Sequence, residues 1–263
     1  MATSHNPSPA ATAFTRFIFI VGREDGEAFL GRLRGAGGAI ARGFFNDFDA
    51  DGARDTQARE AIQFLVAEGE IYPDSVMTAA AHVVQVTGKY RPKLEQVEVE
   101  LRRRLGDAAG VFSIEGAERP PRYSSAEMQD FAYRPAAPRR SGRQAVHAII
   151  LPMNKTADWW AKPALERHAY FYPHADDVTG CAVRGHAQAA AEGIPALYRR
   201  LLHNPDGYQR PGEFDFITYF EHDQEHAEIF DRVHRALQDT SQNPEWRYVR
   251  EGPLWRGRRV LKW

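Results

Sequence analysis

The segment Phe14–Val21, which reads FTRFIFIV, is the clearest fold signal in this sequence of 263 residues. Its residues are mainly β-branched or aromatic, and Gly22 ends the run, which is typical of a buried strand. The residues that follow, 23–33, carry the pattern of a short helix. A strand that leads directly into a helix predicts a protein in which helices pack on a sheet.

Two similar rounds of elements extend from this start. In the first half we expect a strand at 79–87, a helix at 93–105 and an extended segment at 111–114. The helix prediction depends on apolar residues at helical spacing, namely Leu94, Val97, Leu101 and Leu105. In the second half we expect strands at 145–151, 196–202, 214–220 and 246–249, and helices at 163–170 and 224–237. This order predicts an α+β fold of two ferredoxin-like modules with antiparallel sheets.

The composition along the chain divides it into four parts. Residues 1–13 are rich in Ser, Pro and Ala, and predict a disordered leader. Residues 119–144 contain four prolines and the basic cluster Arg139–Arg143, and predict a linker. This linker separates an N-terminal ferredoxin-like module at 14–118 from a C-terminal module at 145–263.

The balance of charge and the cysteine count exclude several classes of protein. The 34 Lys and Arg residues nearly match the 35 Asp and Glu residues, so no net field attracts nucleic acid or a membrane surface. The apolar run Phe17–Val21 is too short for a membrane helix, and residues 1–13 lack the Lys or Arg of a secretory signal. We therefore expect a cytoplasmic protein, or a periplasmic one if the sequence is a processed form. The single cysteine, Cys181, excludes an intramolecular disulfide and cysteine-rich metal centres.

Three stretches of the second half carry residues suited to a heme site. Residues 186–203 read HAQAAAEGIPALYRRLLH, residues 215–221 read DFITYFE, and residues 151–160 read LPMNKTADWW. An imidazole such as that of His186 is the commonest axial ligand of heme iron. A guanidinium such as that of Arg199 keeps its proton and can hold a small anion on the opposite face.

In their order along the chain, 151–160, 186–203 and 215–221, the three stretches resemble the heme-binding half of the chlorite dismutase family. The resemblance covers residues 146–260. It implies a dimeric-type α+β barrel within one chain, heme b as cofactor and a homo-oligomeric ring, with a pentamer as the expected ring size. It also implies that a small anion, chlorite, is converted to chloride and dioxygen through a ferryl intermediate. The alternative is a heme peroxidase-type oxidoreductase of the same fold with another substrate.

The resemblance leaves two candidates for the axial ligand of the heme iron. It makes His186 the axial ligand and Arg199 the distal catalytic residue. Residues 161–185 are longer than the family spacing, however, and a count from the tryptophan pair places His174 at the ligand position. We prefer His186, because the stretch 198–201, which reads YRRL, is the more specific anchor.

The resemblance assigns further contacts to the cofactor. Lys155 and Tyr123 match residues that meet the heme propionates, and Trp159 and Trp160 match tryptophans that flank the cofactor. Asp239, at the end of the last predicted helix, stands where the family has a glutamate that accepts a hydrogen bond from the axial histidine.

The distal side of the predicted heme pocket is formed by strand residues. Leu201, Thr218 and Phe220 should line it, since alternate residues of a strand face one way. Leu151 stands where the related coproheme decarboxylases have a radical-forming tyrosine. Decarboxylation by that route is therefore not expected.

One motif outside the resemblance predicts a different chemistry. His222, Glu225 and His226 fit the pattern H-x-x-E-H, in which two histidines on one helix face bind zinc and the glutamate activates water. The chain contains ten histidines and 35 acidic residues, so such a short pattern arises readily by chance. A zinc hydrolase therefore ranks below the heme enzyme, beside a cofactor-free protein that retains the barrel.

Overall fold

The computed structural model describes residues 13–23, 26–44, 61–69, 72–119, 136–139, 146–260 and 263. The elements of the first half are β1 (Ala13–Gly22), α1 (Glu27–Phe44), β2 (Ala61–Ala67), β3 (His82–Gly88), α2 (Arg91–Leu105) and β4 (Ala109–Glu118). Those of the second half are β5 (Val146–Lys155), α3 (Ala157–Ala161), α4 (Ala164–Ala169), β6 (His174–Ala175), β7 (Ala182–Val183), α5 (Gly185–Ala190), β8 (Tyr198–His203), β9 (Phe216–His222), α6 (Ala227–Gln238), β10 (Val249–Glu251) and β11 (Trp255–Val260). This mixture of helices and strands confirms the predicted α+β class.

Helix α2 forms where its apolar spacing predicts it. Pro92 stands in the first turn, where its missing N–H costs no intrahelical hydrogen bond. Leu94 and Leu101 are fully buried on the face that packs against the sheet. Gly106 ends the helix with a φ of 52°, in the left-handed region that glycine adopts without strain.

Helix α1 is longer than the sequence indicates, since it runs to Phe44 rather than to Leu33. Glycines at 35, 37 and 38 weaken the helical propensity of this segment. Ala36 and Ile40 continue the buried stripe past them, and this packing outweighs the propensity. Among the described residues, no helix is both long and apolar enough to cross a membrane.

The strands close into a barrel. Each neighbouring pair is antiparallel, in the cyclic order β5-β11-β2-β3-β1-β4-β8-β9, with β9 paired back to β5 and β10 added at the end of β5. The two halves of the chain meet at β11–β2 and at β4–β8. At the second seam Gly116 lies against Leu202, where an added Cβ would come within 2.5 Å of the Leu202 Cβ atom. Glycine therefore permits the close approach of the two strands there.

Alternation along the strands divides the apolar core into two main layers. Phe17 and Phe19 of β1 point into the barrel, where they meet Tyr219 and Trp255. Ile18 on the same strand points outward and packs beneath α1 and α2. A smaller third cluster joins Ile149 of β5, Leu197 and Phe230 of α6 on the outer face of the C-terminal half.

Two strands of the barrel and the two-residue strands β6 and β7 escaped prediction, and one predicted strand is wrong. β2 was missed, and so was β11, which reads WRGRRV and buries Trp255, Gly257 and Arg259 while Arg256 and Arg258 are exposed. The predicted strand at 246–249 is mostly a 3-10 turn at Pro244–Tyr248, followed by the short β10. A proline at the start of this segment favours the turn over an extended strand.

A buried ionic cluster joins the two halves inside the barrel. Glu221 of β9 is 1% exposed and accepts hydrogen bonds from Arg139 at 2.7 Å, Tyr219 at 2.7 Å and Arg259 at 3.3 Å. Arg139 also contacts Gln63 of β2. Burial alone would raise the pKa of Glu221, but the two guanidinium groups hold it below its ordinary value. The expected linker thus contributes a buried charge to the barrel rather than only crossing its surface.

Candidate functional site

His186 is held at the start of α5 by contacts on several sides. Gly185 precedes it with a φ of 72°, and a Cβ at that position would collide with the carbonyl oxygen of Tyr172. The His186 backbone N–H donates to the Tyr170 carbonyl oxygen at 3.1 Å. Its ring stacks on Phe171 with centroids 5.5 Å apart and an interplanar angle of 17°. The imidazole orientation is therefore determined by the backbone and by an aromatic neighbour.

The Nδ1 atom of His186 lies 3.0 Å from Oε2 of Glu245. The other carboxylate oxygen of Glu245 accepts a hydrogen bond from Lys155 Nζ at 2.5 Å. Burial alone would raise the pKa of Glu245, but Lys155 and His186 beside it hold that pKa well below its ordinary value. Burial lowers the pKa of Lys155. Contact with the ionised carboxylate of Glu245 opposes this effect, because it favours the charged ammonium form. We call these three residues the proximal triad.

Glu245, rather than Asp239, is therefore the acceptor beside His186, which corrects the sequence-based expectation. Asp239 follows α6 and accepts hydrogen bonds from the backbone N–H and the hydroxyl of Ser241, at 3.0 and 2.6 Å. Its carbonyl oxygen accepts from the Asn243 N–H at 2.7 Å, which closes a tight turn. The turn carries the chain back toward the sheet and brings Glu245 to His186. Counting from the end of the helix could not detect this turn.

The two adjacent tryptophans have different surroundings. Thr156 caps the short helix α3 by accepting from the Trp159 N–H. Trp159 is buried, and Lys155 Nζ lies 4.0 Å from the centroid of its ring. Trp160 donates from Nε1 to Asp215 at 3.2 Å and stacks on Tyr208 at 4.3 Å. Only Trp159 therefore adjoins the proximal triad.

The predicted distal residues share one face of the sheet. Arg199 of β8 stands opposite Phe220 of β9, and Leu201 stands opposite Thr218. Directly opposed residues of antiparallel strands project to the same side. Leu151 of β5 is the next neighbour of Thr218 across the sheet. The fold therefore groups a guanidinium with apolar side chains on the face that lies away from the barrel interior.

Helix α6 borders this outer face. The Phe220 ring lies edge-on to Phe230 of α6, with centroids 5.1 Å apart. Thr218 is 6% exposed, whereas Leu201 remains 40% exposed. The predicted distal residues are thus packed against α6 at Phe220 and open to solvent at Leu201.

His174, the alternative ligand, lies in β6 with a different environment. Its Nδ1 atom is 2.8 Å from the Tyr172 carbonyl oxygen, and its ring lies 5.2 Å from that of Tyr170. Its Nε2 atom is buried and has no hydrogen-bond partner among the described residues. No contact joins His174 to the proximal triad in the part of the chain described above. Tyr123, the other predicted propionate contact, lies outside the described residues.

The zinc-hydrolase pattern does not form the helix face that it requires. His222 is the last residue of β9, and its Nδ1 atom donates to the Asp223 carbonyl oxygen at 2.9 Å. Glu225 and His226 belong to a separate 3-10 turn at Gln224–His226. The two histidines therefore do not stand one turn apart on a helix, and the motif geometry of a zinc peptidase is not present.

Comparisons with known proteins identify the fold. Neither a family model nor a curated protein matches the chain. Among solved structures, chlorite dismutase from Candidatus Nitrospira defluvii in complex with imidazole has a TM-score of 0.69 and 21% identity, over 95% of this chain and 92% of that one. A doubly substituted variant of the same enzyme has a TM-score of 0.68 and 20% identity over the same shares. A cyanide complex of another variant has a TM-score of 0.69 and 19% identity, over 95% and 91%. At this identity the similarity establishes that the chain has the chlorite dismutase fold.

Proposed function

We propose that this protein is a heme b-dependent oxidoreductase that binds the heme iron through His186 and acts on a small anion, with chlorite as the leading substrate. The proximal triad carries the proposal. An axial histidine normally donates its second N–H to a carboxylate, which fixes the tautomer and makes the ligand more basic. The 3.0 Å contact between His186 Nδ1 and Glu245 supplies such a partner, so Nε2 is the ring nitrogen that would bind the iron. The chlorite dismutase fold supports the same assignment.

Each remaining candidate residue has a role that follows from its chemistry. A bound heme would supply the redox chemistry at its iron. Arg199, which cannot lose its proton, would hold an anionic substrate and a negatively charged product. Leu201, Thr218 and Phe220 would form a mainly apolar wall beside that small species. Lys155 is engaged by Glu245, so we assign it to the proximal triad rather than to a propionate.

The architecture of the enzyme is proposed as two ferredoxin-like modules. In the first half the strands β2, β3, β1 and β4 are neighbours in that order, and in the second half β8, β9, β5 and β11 repeat it. This similarity supports a module at 14–118 and another at 145–263, joined by the segment 119–144. A homo-oligomeric ring, with a pentamer as the leading size, and a cytoplasmic location complete the proposal.

A heme peroxidase-type activity is the second candidate. The observation that favours it is an aromatic cluster next to Lys155, in which Trp159 contacts two tyrosines. Side chains of this kind can be oxidised by one electron. An enzyme that acts only on chlorite has no evident use for them.

A titration with hemin and an oxygen electrode test the proposal. Purified protein should develop a Soret band at one heme per chain, and the loaded protein should release oxygen from chlorite. Absence of the Soret band would refute the heme assignment. Heme binding without oxygen release, together with oxidation of an organic donor by peroxide, would instead establish the peroxidase-type activity.

A further inference from the structure

Three aromatic side chains extend from the proximal triad toward the surface. The ring centroid of Trp159 lies 5.6 Å from that of Tyr170 and 5.7 Å from that of Tyr248. The two tyrosine rings are 5.8 Å apart, edge to face. Since Lys155 lies over Trp159 at 4.0 Å, the three rings continue the chain of contacts that begins at His186. We call Trp159, Tyr170 and Tyr248 the aromatic relay.

The outer end of the relay has a carboxylate that can exchange protons with solvent. The Tyr170 hydroxyl donates to both oxygens of Asp177, at 2.9 and 3.0 Å. Tyr170 is 2% exposed, whereas the Asp177 side chain is 49% exposed. The ammonium of Lys162 lies 3.6 Å from Asp177 and within 5.4 Å of both tyrosine ring centroids. The Tyr170 hydroxyl also lies 3.5 Å from that of Tyr248. Of its two partners, Asp177 is the carboxylate that can take up the phenol proton and pass it to water.

The loop that carries Asp177 is held in place by its own contacts. Asp176 accepts from both terminal nitrogens of the Arg247 guanidinium, at 2.8 and 3.0 Å, and from the Thr179 hydroxyl at 2.8 Å. Arg247 directly precedes Tyr248, so this ion pair holds Tyr248 relative to the loop, while the hydrogen bonds to Asp177 hold Tyr170. Tyr170 and Asp177 lie in the segment 161–185, which the sequence predicts to be longer than in the resembled family, whereas Trp159 and Tyr248 lie outside it. The segment therefore supplies the outer end of the relay.

The protonation state of Tyr170 suits the transfer of an electron coupled to a proton. Burial, followed by the hydrogen bonds to Tyr248 and Asp177, raises the pKa of Tyr170 well above its ordinary value. The phenol therefore keeps its proton until it is oxidised. A phenol that loses an electron becomes strongly acidic, and Asp177 is placed to take the proton.

We propose that the aromatic relay carries single electrons from a phenolic donor at the surface beside Asp177 to the heme pocket after a peroxide has oxidised the cofactor. Trp159 gives up one electron to the oxidised cofactor. One electron then passes from Tyr170 to the Trp159 radical cation, the Tyr170 O–H bond breaks and the proton moves to Asp177. The donor phenol returns one electron and one proton to Tyr170 and leaves as a phenoxyl radical, and the exposed Asp177 releases the proton that it took up to water. This inference rests on the proposed heme function and names the substrate class of its peroxidase-type form.

Radical trapping tests the relay without depending on turnover. Heme-loaded wild type, Tyr170→Phe, Tyr248→Phe and Tyr90→Phe are mixed with hydrogen peroxide and a nitroso spin trap, and the adducts are located by mass spectrometry. Tyr90 is exposed and distant in sequence from the relay, so Tyr90→Phe serves as the control. We expect adducts on Tyr170 or Tyr248 in wild type and in Tyr90→Phe. Tyr170→Phe should lose most of them while its Soret band and cyanide affinity stay unchanged.

A second variant examines the proton acceptor. Asp177→Asn keeps the shape of the side chain but removes the base, so oxidation of a phenolic donor should slow severalfold and show a larger solvent deuterium isotope effect. Heme-loaded wild type that consumes peroxide without adducts on Tyr170 or Tyr248 would overturn the relay, as would an unchanged isotope effect in Asp177→Asn. A missing Soret band in wild type would instead mark failure of the heme function on which the relay depends.

Discussion

The carboxylate of Glu245 bridges His186 Nδ1, at 3.0 Å, and Lys155 Nζ, at 2.5 Å. One oxygen serves each partner. The charge state of the carboxylate is therefore linked to the basicity of the imidazole.

Replacing Glu245 with Gln should raise the ferric/ferrous midpoint potential of the loaded protein. A neutral amide makes the imidazole a weaker electron donor, and this destabilises ferric iron relative to ferrous iron. Spectroelectrochemistry measures the shift. Asp239→Asn is the matched control and should leave the potential unchanged, because Asp239 bonds to Ser241 instead. A shift of the midpoint potential in Asp239→Asn but not in Glu245→Gln would show that Asp239, rather than Glu245, is the acceptor for His186.

Replacing His186 with Ala should abolish stoichiometric heme binding, because only propionate and apolar contacts would remain. His174→Ala should retain it, since no contact connects His174 to the proximal triad among the described residues. A hemin titration followed at the Soret band compares the two variants. Loss of heme in His174→Ala with retention in His186→Ala would identify His174 as the ligand.

Replacing Arg199 with Ala should leave the heme content nearly intact but weaken the binding of cyanide and fluoride. It should also lower oxygen release from chlorite and increase heme bleaching. Arg199→Lys should restore only part of the anion affinity, because an ammonium lacks the planar fork of a guanidinium. Arg200→Ala is the control, since Arg200 faces the other way and contacts Glu118. Equal anion affinity in wild type and Arg199→Ala would show that Arg199 does not hold the anion.

Replacing Glu221 with Gln should destabilise the barrel by about 3–5 kcal/mol, because two buried guanidinium groups would lose their counter-charge. Glu118→Gln breaks an ion pair with Arg200 in which both side chains are over a third exposed, and it should cost under about 1 kcal/mol. Urea unfolding followed by far-ultraviolet circular dichroism compares the two. Similar losses would show that burial does not set the strength of the Glu221 cluster.

Acidification should destabilise wild type more than Glu245→Gln. Neighbouring positive charges hold the pKa of Glu245 below its ordinary value of 4.5 in the folded chain. The resulting stability is present above that ordinary value and is lost as the pH falls toward the folded pKa. Urea unfolding at neutral pH and at about pH 3 measures the difference. Parallel pH dependences in the two proteins would contradict the depressed pKa.

The sequence predicted the elements whose pattern is local, and it missed those that depend on distant partners. The strand at Phe14–Val21 and helix α2 carry their own periodicity and were found. Strand β11 was missed because it buries Arg259, and a buried arginine is not expected in a strand unless it has a partner. That partner is Glu221, which is 38 residues away in sequence. The partner of His186 was misassigned for a related reason, since a turn after α6 decides which acid faces the imidazole. Local patterns specify elements, whereas paired buried charges are specified by the assembled sheet.

The cyclic order of the strands also has a consequence for how copies of this chain can associate. A sheet that pairs its last strand with its first offers little unsatisfied backbone along its sides, and in the described residues only the short β10 and the two-residue pair β6 and β7 lie outside the cycle. The strands of the cycle therefore offer no free edge for growth by edge-to-edge strand addition, the usual route to fibrous aggregation. Within the described part of the chain, the surfaces left for contact between copies are mainly side chains on helices, loops and outer sheet faces.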